Sequence, residues 1–141
     1  MTVEERMKEA IKVAAEGHTP YGCMIYNNAN HKYIVAANQT KVKGKTAHAE
    51  MEALRLLNEY KWNIKELTLY TTAEPCPMCM AAILWCGISD VVYGVPIDKI
   101  MKYHKQIDIS AAHIAEESWI NCQITPRYME DECLDLFEKY S

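Results

Sequence analysis

The N-terminal part of the chain changes from a helical to a β pattern of apolar positions. Apolar residues recur at helical spacing after Thr2, and Thr2 with Glu5 matches a capping box, so the pattern predicts a helix from about residue 2 to Glu16. The apolar runs CMIY and YIVAAN flank the turn-rich NNAN. They predict a β-hairpin near 22–27 and 33–38.

The middle of the chain alternates helix and strand. QTKVKGKT predicts a loop, and the apolar spacing from Ala47 predicts a helix to about Tyr60. LTLYTT predicts a buried strand, after which Pro75 and Pro77 suit the start of a helix that ends near Gly87. SDVVYG predicts another strand. We expect it to pair in parallel with LTLYTT, because a helix separates the two strands along the chain.

The C-terminal third predicts shorter elements. They are a helix over 97–105, a strand over 118–124 and an amphipathic helix over 129–140. The resulting order, α-β-β-α-β-α-β-α-β-α, predicts an α/β fold in which helices cover both faces of a mixed five-stranded sheet. We therefore expect a three-layer α-β-α architecture.

Length and composition narrow the class of protein. A chain of 141 residues, half of them apolar and a quarter charged, predicts a single domain over 1–141 with one core. Its apolar runs are all much shorter than the roughly 18 residues that span a bilayer, and its N-terminus reads as a charged helix, so we expect a cytoplasmic protein. The six cysteines are then interpreted as free thiols and metal ligands.

Charge favours a small-molecule substrate. The net charge is −4, and the lysines are scattered except for the short run Lys41, Lys43 and Lys45. Nucleic-acid surfaces usually have a clustered basic footprint, so this distribution argues against a nucleic-acid partner. No membrane partner is expected either, because no apolar run is long enough to span a bilayer.

Cys76 and Cys79 have a spacing that suits two ligands of one metal ion. Side chains at i and i+3 in the first turn of a helix face the same way, and the helix N-terminus favours thiolates. His48, at the start of another predicted helix, is a suitable third ligand. Two thiolates and an imidazole favour zinc.

The number of protein ligands decides between a structural and a catalytic zinc site. Cys86 lies seven positions beyond Cys79, which is roughly 10 Å along a helix and too far to share a metal ion. Three protein ligands would leave one position open, as in catalytic sites. Glu50 is then the expected proton carrier, provided that His48 occupies the helix entry and Glu50 reaches around from the first turn.

TAHAE at 46–50 and EPCPMC at 74–79 resemble the signature of the zinc-dependent nucleobase and nucleoside deaminases. The resemblance extends from PYG at 20–22 to VVYG at 91–94 and implies the cytidine-deaminase-like fold. It implies one Zn²⁺ per chain held by His48, Cys76 and Cys79, with Glu50 as proton shuttle. It also implies a homodimer.

The same resemblance implies a set of substrate contacts. Asn38 is expected to bind the substrate ring, and the backbone N–H of Cys76 to contact the zinc-bound oxygen. Ala49 and Trp85 complete the expected substrate contacts. The other large aromatic residues, Tyr21, Trp119 and Phe137, are expected in the core.

Three substrate classes follow from the resemblance. EPCPMCMAAILW, with PYG upstream and Trp85, is most similar to the bacterial guanine deaminases, so free guanine is the first expectation. GCMIYNN resembles the fungal-type cytosine deaminases, whose acidic, tryptophan-containing tail is missing here. The tRNA adenosine deaminases share TAHAE and EPC-x-MC, but their Gly-rich segment after VVYG is missing. A catalytically silent, zinc-stabilised binding module is the alternative from another class.

Overall fold

Five strands form one mixed sheet in the computed structural model, which describes residues 1–141. The strands are β1 (Gly22–Asn27), β2 (Tyr33–Ala37), β3 (Leu67–Ala73), β4 (Asp90–Val95) and β5 (Gln123–Thr125). Their order across the sheet is β2-β1-β3-β4-β5. β1 pairs antiparallel with β2 and β3, whereas β4 pairs in parallel with β3 and β5. The predicted parallel pairing of LTLYTT with SDVVYG is confirmed.

Seven α-helices accompany the sheet. They are α1 (Val3–Glu16), α2 (Thr40–Lys43), α3 (Ala49–Leu57), α4 (Pro77–Trp85), α5 (Ile97–Ile100), α6 (Ala111–Glu116) and α7 (Glu130–Tyr140), with a 3₁₀ turn at Ile64–Glu66. α3, α4 and α6 supply the buried residues on one face of the sheet, and α1 and α7 those on the other. The predicted three-layer fold is confirmed. None of the helices combines the length and apolar character needed to cross a bilayer.

The two cores follow from the alternation of side chains along the strands. In β1, Cys23 and Ile25 face the core under α3 and α4, whereas Met24 and Tyr26 face the core under α1 and α7. Because both faces are covered, all six residues of β1 are buried. This double burial explains why the middle of β1 is a continuous apolar run and why β3 contains no charged residue.

The strand predicted over 118–124 is wrong in its bounds. The chain forms only the three-residue β5, and the preceding residues form a turn in which the Ser118 hydroxyl bonds to the carbonyl of Ala115 and the N–H of Ile120. The apolar character of Trp119 and Ile120 suggested a strand, but Trp119 lies exposed on this turn.

The remaining differences concern short helices and element ends. The stretch predicted as a loop contains α2, the helix predicted over 97–105 ends at Ile100, and α6 was not predicted. The helix predicted from Ala47 to Tyr60 is limited to α3. The capping box at the start of α1 is confirmed, with reciprocal bonds between Thr2 and Glu5.

Candidate metal and catalytic site

Two helix N-termini meet at one point and place the predicted metal ligands. His48 is the N-cap of α3, and Cys76 is the N-cap of α4, both in an extended backbone conformation. Cys79 is the third residue of α4 and is fully buried. Because neither N-cap side chain bonds to its own helix, both remain available to a ligand.

The spacing of the three side chains fits a tetrahedral zinc ion. His48 Nδ1 lies 3.6 Å from Cys76 Sγ and 3.5 Å from Cys79 Sγ, and all three ligand atoms lie within 4.8 Å of one another. Zinc bonds of about 2.0 Å to nitrogen and 2.3 Å to sulfur, at a tetrahedral angle, place these atoms about 3.6 Å apart. The residues therefore fit one zinc ion.

The group of three has no fourth protein ligand. No other His, Cys, Asp or Glu belongs to it. Cys86 caps the other end of α4 and packs against the core, while Cys23 is buried in β1. Three ligands leave the fourth tetrahedral position open to water or substrate, as in catalytic zinc sites.

The two thiols differ in pKa. Hydrogen bonding with the Cys79 side chain lowers the pKa of Cys76 to about 4, and His48 adds to this lowering. The same bond, together with burial, raises the pKa of Cys79. The pKa of His48 is raised, chiefly by its bond with Cys76. Negative charge is therefore favoured on the Cys76 sulfur, which faces the imidazole.

Glu50 lies beside this group in the first turn of α3. Only 5 % of the residue is exposed. Burial raises the pKa of Glu50 to about 7, and N–H bonding at the helix start offsets part of this rise. His48 and Glu50 line the same cavity. Although they are only two residues apart, their side chains therefore reach one site, with His48 at the helix entry and Glu50 in the first turn.

A cavity of about 610 Å³ opens above these residues. Its wall includes Asn38 at the end of β2, and the Asn38 Oδ1 accepts the N–H of Thr40 at 2.8 Å. This bond fixes the orientation of the amide and leaves Nδ2 as a donor. The side chain thus combines the turn-closing role that asparagine often has with a free N–H.

The structure gathers some of the predicted substrate contacts at this cavity and leaves others outside it. Asn38 and Cys76 line the cavity, together with His48 and Glu50. Ala49 is fully buried between His48 and Glu50 and does not line it. Trp85, at the other end of α4, is 76 % exposed and lies outside the cavity.

Several residues of the cavity wall were not predicted in this role. Tyr21, expected in the core, lines the cavity, and its hydroxyl lies 2.7 Å from His104 Nδ1. Burial and the nearby Glu50 and Cys76 raise the pKa of Tyr21. Glu74, which directly precedes the proline of the EPC motif, also lines the cavity. Tyr21 and His104 are 83 positions apart, so no local spacing could connect them.

Relatives of the chain are deaminases. The chain is 30% identical over 138 residues to a probable cytosine deaminase of Schizosaccharomyces pombe, covering 91% of this chain and 85% of the relative. It is 35% identical over 98 residues to the tRNA-specific adenosine deaminase of Bacillus subtilis, covering 65% of this chain and 58% of that protein.

Solved structures give the same fold. Guanine deaminase from Nitrosomonas europaea superimposes with a TM-score of 0.79 at 21% identity, covering 99% of this chain and 84% of the other. Guanine deaminase from Bacillus subtilis superimposes with a TM-score of 0.63 at 29% identity, covering 72% and 69%.

The family model of the cytidine and deoxycytidylate deaminase zinc-binding region matches residues 1–95. This range includes His48, Glu50, Cys76 and Cys79 and covers most of the chain. The open three-ligand geometry agrees with the metal that the family binds. The chain therefore belongs to the cytidine and deoxycytidylate deaminase family and is a zinc-dependent hydrolytic deaminase that acts on C–N bonds.

Proposed function

We propose that the protein deaminates a free nucleobase, with guanine as the first substrate. The observation that carries this proposal is the position of Glu50, a buried carboxyl group that lines one cavity together with the His48 and Cys76 ligands. A site built only to stabilise the fold would not need an ionisable carboxyl group beside an open metal position, since burying one is costly.

Glu50 moves the protons in this reaction. Zinc held by His48, Cys76 and Cys79 would lower the pKa of a water molecule bound to it. Glu50 takes a proton from the attacking water, whose oxygen bonds to C2 of guanine, and passes it to the neighbouring ring nitrogen. Glu50 then carries the second proton to the amine. The C2–N bond breaks, and xanthine and ammonia are released.

Two N–H donors are available to hold the ring and the reacting oxygen. Asn38 offers Nδ2, because its Oδ1 is already bonded to Thr40. The Cys76 backbone N–H lies at the N-terminus of α4, where the helix dipole favours negative charge. We assign ring binding to Asn38 and stabilisation of the developing charge to Cys76. Ala49, at the start of α3, is fully buried and does not line the cavity, so we assign no substrate contact to its side chain.

Size and similarity support a free purine. The cavity volume of about 610 Å³ is within the usual range of small-molecule sites, and α7 contributes Tyr140 and the chain end to its wall. Of the two guanine deaminases, the Bacillus subtilis protein shares 29% identity with this chain. The net charge of −4 gives a polyanionic substrate no general attraction.

Cytosine is the second candidate. It is favoured by the Schizosaccharomyces pombe relative, whose similarity extends along 91% of this chain and includes the C-terminal part. The match to the tRNA-specific adenosine deaminase covers 65% of this chain. We place a tRNA substrate third.

We also propose that the protein forms a homodimer in the cytoplasm. α4 is apolar on all sides, yet Trp85 is 76 % exposed and packs edge to face on Trp119, which is 67 % exposed. Apolar helices of this kind are normally buried, so we infer that a second copy covers this face. None of the six cysteines forms a disulfide, which agrees with a reducing compartment.

A panel of bases tests the reaction and the substrate together. The zinc-loaded protein should release ammonia from guanine faster than from cytosine, adenine or their nucleosides. Glu50→Gln should keep one zinc per chain and lose at least about 100-fold in turnover, as expected for loss of a general base. Glu59→Gln, on an exposed residue after α3, is the matched control.

The outcomes of this panel separate the candidate functions. Faster cytosine turnover would replace guanine as the substrate. Turnover of a tRNA anticodon stem-loop alone would favour the third candidate. A Glu50→Gln variant with full activity would contradict the mechanism, and a wild-type protein that binds zinc without any turnover would indicate a binding module.

A further inference from the structure

The cavity wall contains, besides the metal ligands, a histidine with one free ring nitrogen. His104 follows α5, and its backbone N–H donates to the carbonyl of Ile100 at 2.9 Å. Its ring lines the cavity, and Nδ1 lies 2.7 Å from the Tyr21 hydroxyl. Nε2 has no hydrogen-bond partner within the protein. A half-buried ring nitrogen that faces a cavity is available to a ligand.

Packing fixes the two rings. Tyr21 meets Phe137 edge to face with centroids 5.3 Å apart, and His104 lies against the same phenylalanine at 6.1 Å. Phe137 is fully buried in α7. The Tyr21 carbonyl accepts the backbone N–H of Asn38, so Tyr21 joins the two walls of the cavity that carry Asn38 and His104. His104 is therefore held at a set position relative to Asn38.

The contact with the Tyr21 hydroxyl is linked to the tautomer of His104. Either group can donate across the 2.7 Å between the hydroxyl and Nδ1, and in one of the two arrangements the hydroxyl donates. A neutral imidazole that accepts at Nδ1 carries its own proton on Nε2. The cavity wall then presents an N–H donor, which can pair with an oxo group or an unprotonated ring nitrogen but not with an amino group.

We propose that His104 is a specificity-determining residue that donates its Nε2–H to the exocyclic oxygen of an oxo-base and so disfavours bases with an amino group at that position. For guanine this atom is O6, remote from the C2 amine that leaves. The inference rests on the proposed function, because it names the part of the nucleobase that the cavity recognises.

A pair of purines that differ only at position 6 tests the proposal. Guanine carries an oxygen there, 2,6-diaminopurine carries an amino group, and both carry the same C2 amine. The zinc-loaded wild type should prefer guanine in kcat/KM. His104→Phe keeps an aromatic ring against Phe137 and removes the donor. It should lose about 10-fold or more on guanine, with little change for attack at C2 of 2,6-diaminopurine.

Three further variants separate recognition from structure. His104→Gln restores an N–H donor and should recover part of the preference for guanine. Tyr21→Phe frees the tautomer, which should reduce the preference and change the ¹⁵N chemical shifts of the His104 ring. His113→Phe, at an exposed position on α6, is the matched control and should leave both substrates unaffected.

The results also distinguish this inference from the proposed function. Equal losses on both purines in His104→Phe, or an unchanged preference, would overturn the role of His104 while leaving guanine deamination in place. A wild type that turns over neither purine would overturn the proposed function and, with it, the assignment of His104.

Discussion

At the scale of single residues, the metal site depends on the first turns of α3 and α4. His48 and Cys76 leave their own helices uncapped and approach to 3.6 Å. The N–H groups that they fail to cap favour the negative charge of a thiolate or of a reacting oxygen. The same arrangement therefore prepares metal binding and charge stabilisation.

Removing one ligand should remove the metal. Cys76→Ala leaves only His48 and Cys79, so we expect bound zinc to fall well below one per chain and deamination to cease. Cys86→Ala changes a cysteine at the other end of the same helix and should retain one zinc. Metal analysis after dialysis gives both numbers. Full zinc content in Cys76→Ala would show that another residue completes the site.

Gly22 lies where α1 packs directly against the sheet. A Cβ atom there would lie 2.1 Å from the Ala10 carbonyl oxygen, a backbone atom that cannot move alone. Gly22→Ala should lower the free energy of unfolding by about 1–3 kcal/mol. Gly17→Ala, with its nearest contact at 3.2 Å, should lose less in the same urea titration. Equal losses would show that α1 shifts freely.

The sequence was sufficient to predict the site residues that belong to a short motif. The spacing of Cys76 and Cys79, together with the His-x-Glu pair, predicted the group that the structure brings together. It could not predict the bond between Tyr21 and His104, because that contact depends on how α7 packs Phe137 against both rings.

At the scale of elements, Glu74 connects the end of β3 to the segment that contributes His104 to the cavity wall. Its two carboxylate oxygens accept the backbone N–H groups of Ile97 and Ala111, at 2.9 and 2.8 Å. These groups lie at the starts of α5 and α6, where helix N–H donors lack internal partners. One buried side chain therefore fixes both ends of the segment that contains His104.

Glu74→Gln should loosen this segment. The amide keeps one acceptor oxygen, so one of the two N–H groups loses its partner, and we expect about 1–3 kcal/mol less stability. Hydrogen exchange should rise over residues 97–111, while zinc content stays at one per chain. Glu116→Gln, on an exposed residue of α6, is the control. Unchanged exchange in Glu74→Gln would mean that other contacts fix this wall.

The elements that sequence patterns missed or misplaced, α6 and β5, are short and depend on contacts with other parts of the chain. α6 has only six residues, too few for a clear helical period, and begins with a Ser110 cap and the bond from Ala111 to Glu74. β5 has three residues paired only with β4. By contrast, α1 and β3 were predicted closely. The apolar pattern of α1 repeats over more than two helical turns, and that of β3 covers a full buried strand.

At the scale of the whole molecule, the sheet order places the chemistry at one end. β3 is the central strand. The loops after β2 and β3 lead into α2, which lines the cavity, and into α4, whose N-cap Cys76 lines it. The parallel pair β3–β4 was predictable from the intervening helix, whereas the antiparallel pairing of β1 with β3 was not, since the pattern of each strand is buried on both faces.

The exposed Trp85 and Trp119 concern the proposed homodimer. Two large aromatic rings, with centroids 4.9 Å apart, stand on the outer face of α4 and the turn after α6, on the helix that also carries Cys79. A second copy packing there would bury both rings and stiffen the helix that holds the metal. Oligomeric state and zinc retention should therefore change together.

Trp85→Glu should separate the two copies. Light scattering should give the wild type a mass near twice the 16.2 kDa of one chain. The dimer of the variant should dissociate at protein concentrations at least about 10-fold higher than the wild-type dimer does, because a charge would replace a central aromatic contact. Tyr33→Glu, at an exposed aromatic residue on β2, should stay dimeric. If dissociation also speeds zinc loss to a chelator, the interface supports the metal site. A wild type that is monomeric, or a Trp85→Glu protein that dimerises as tightly, would place the interface elsewhere or remove it.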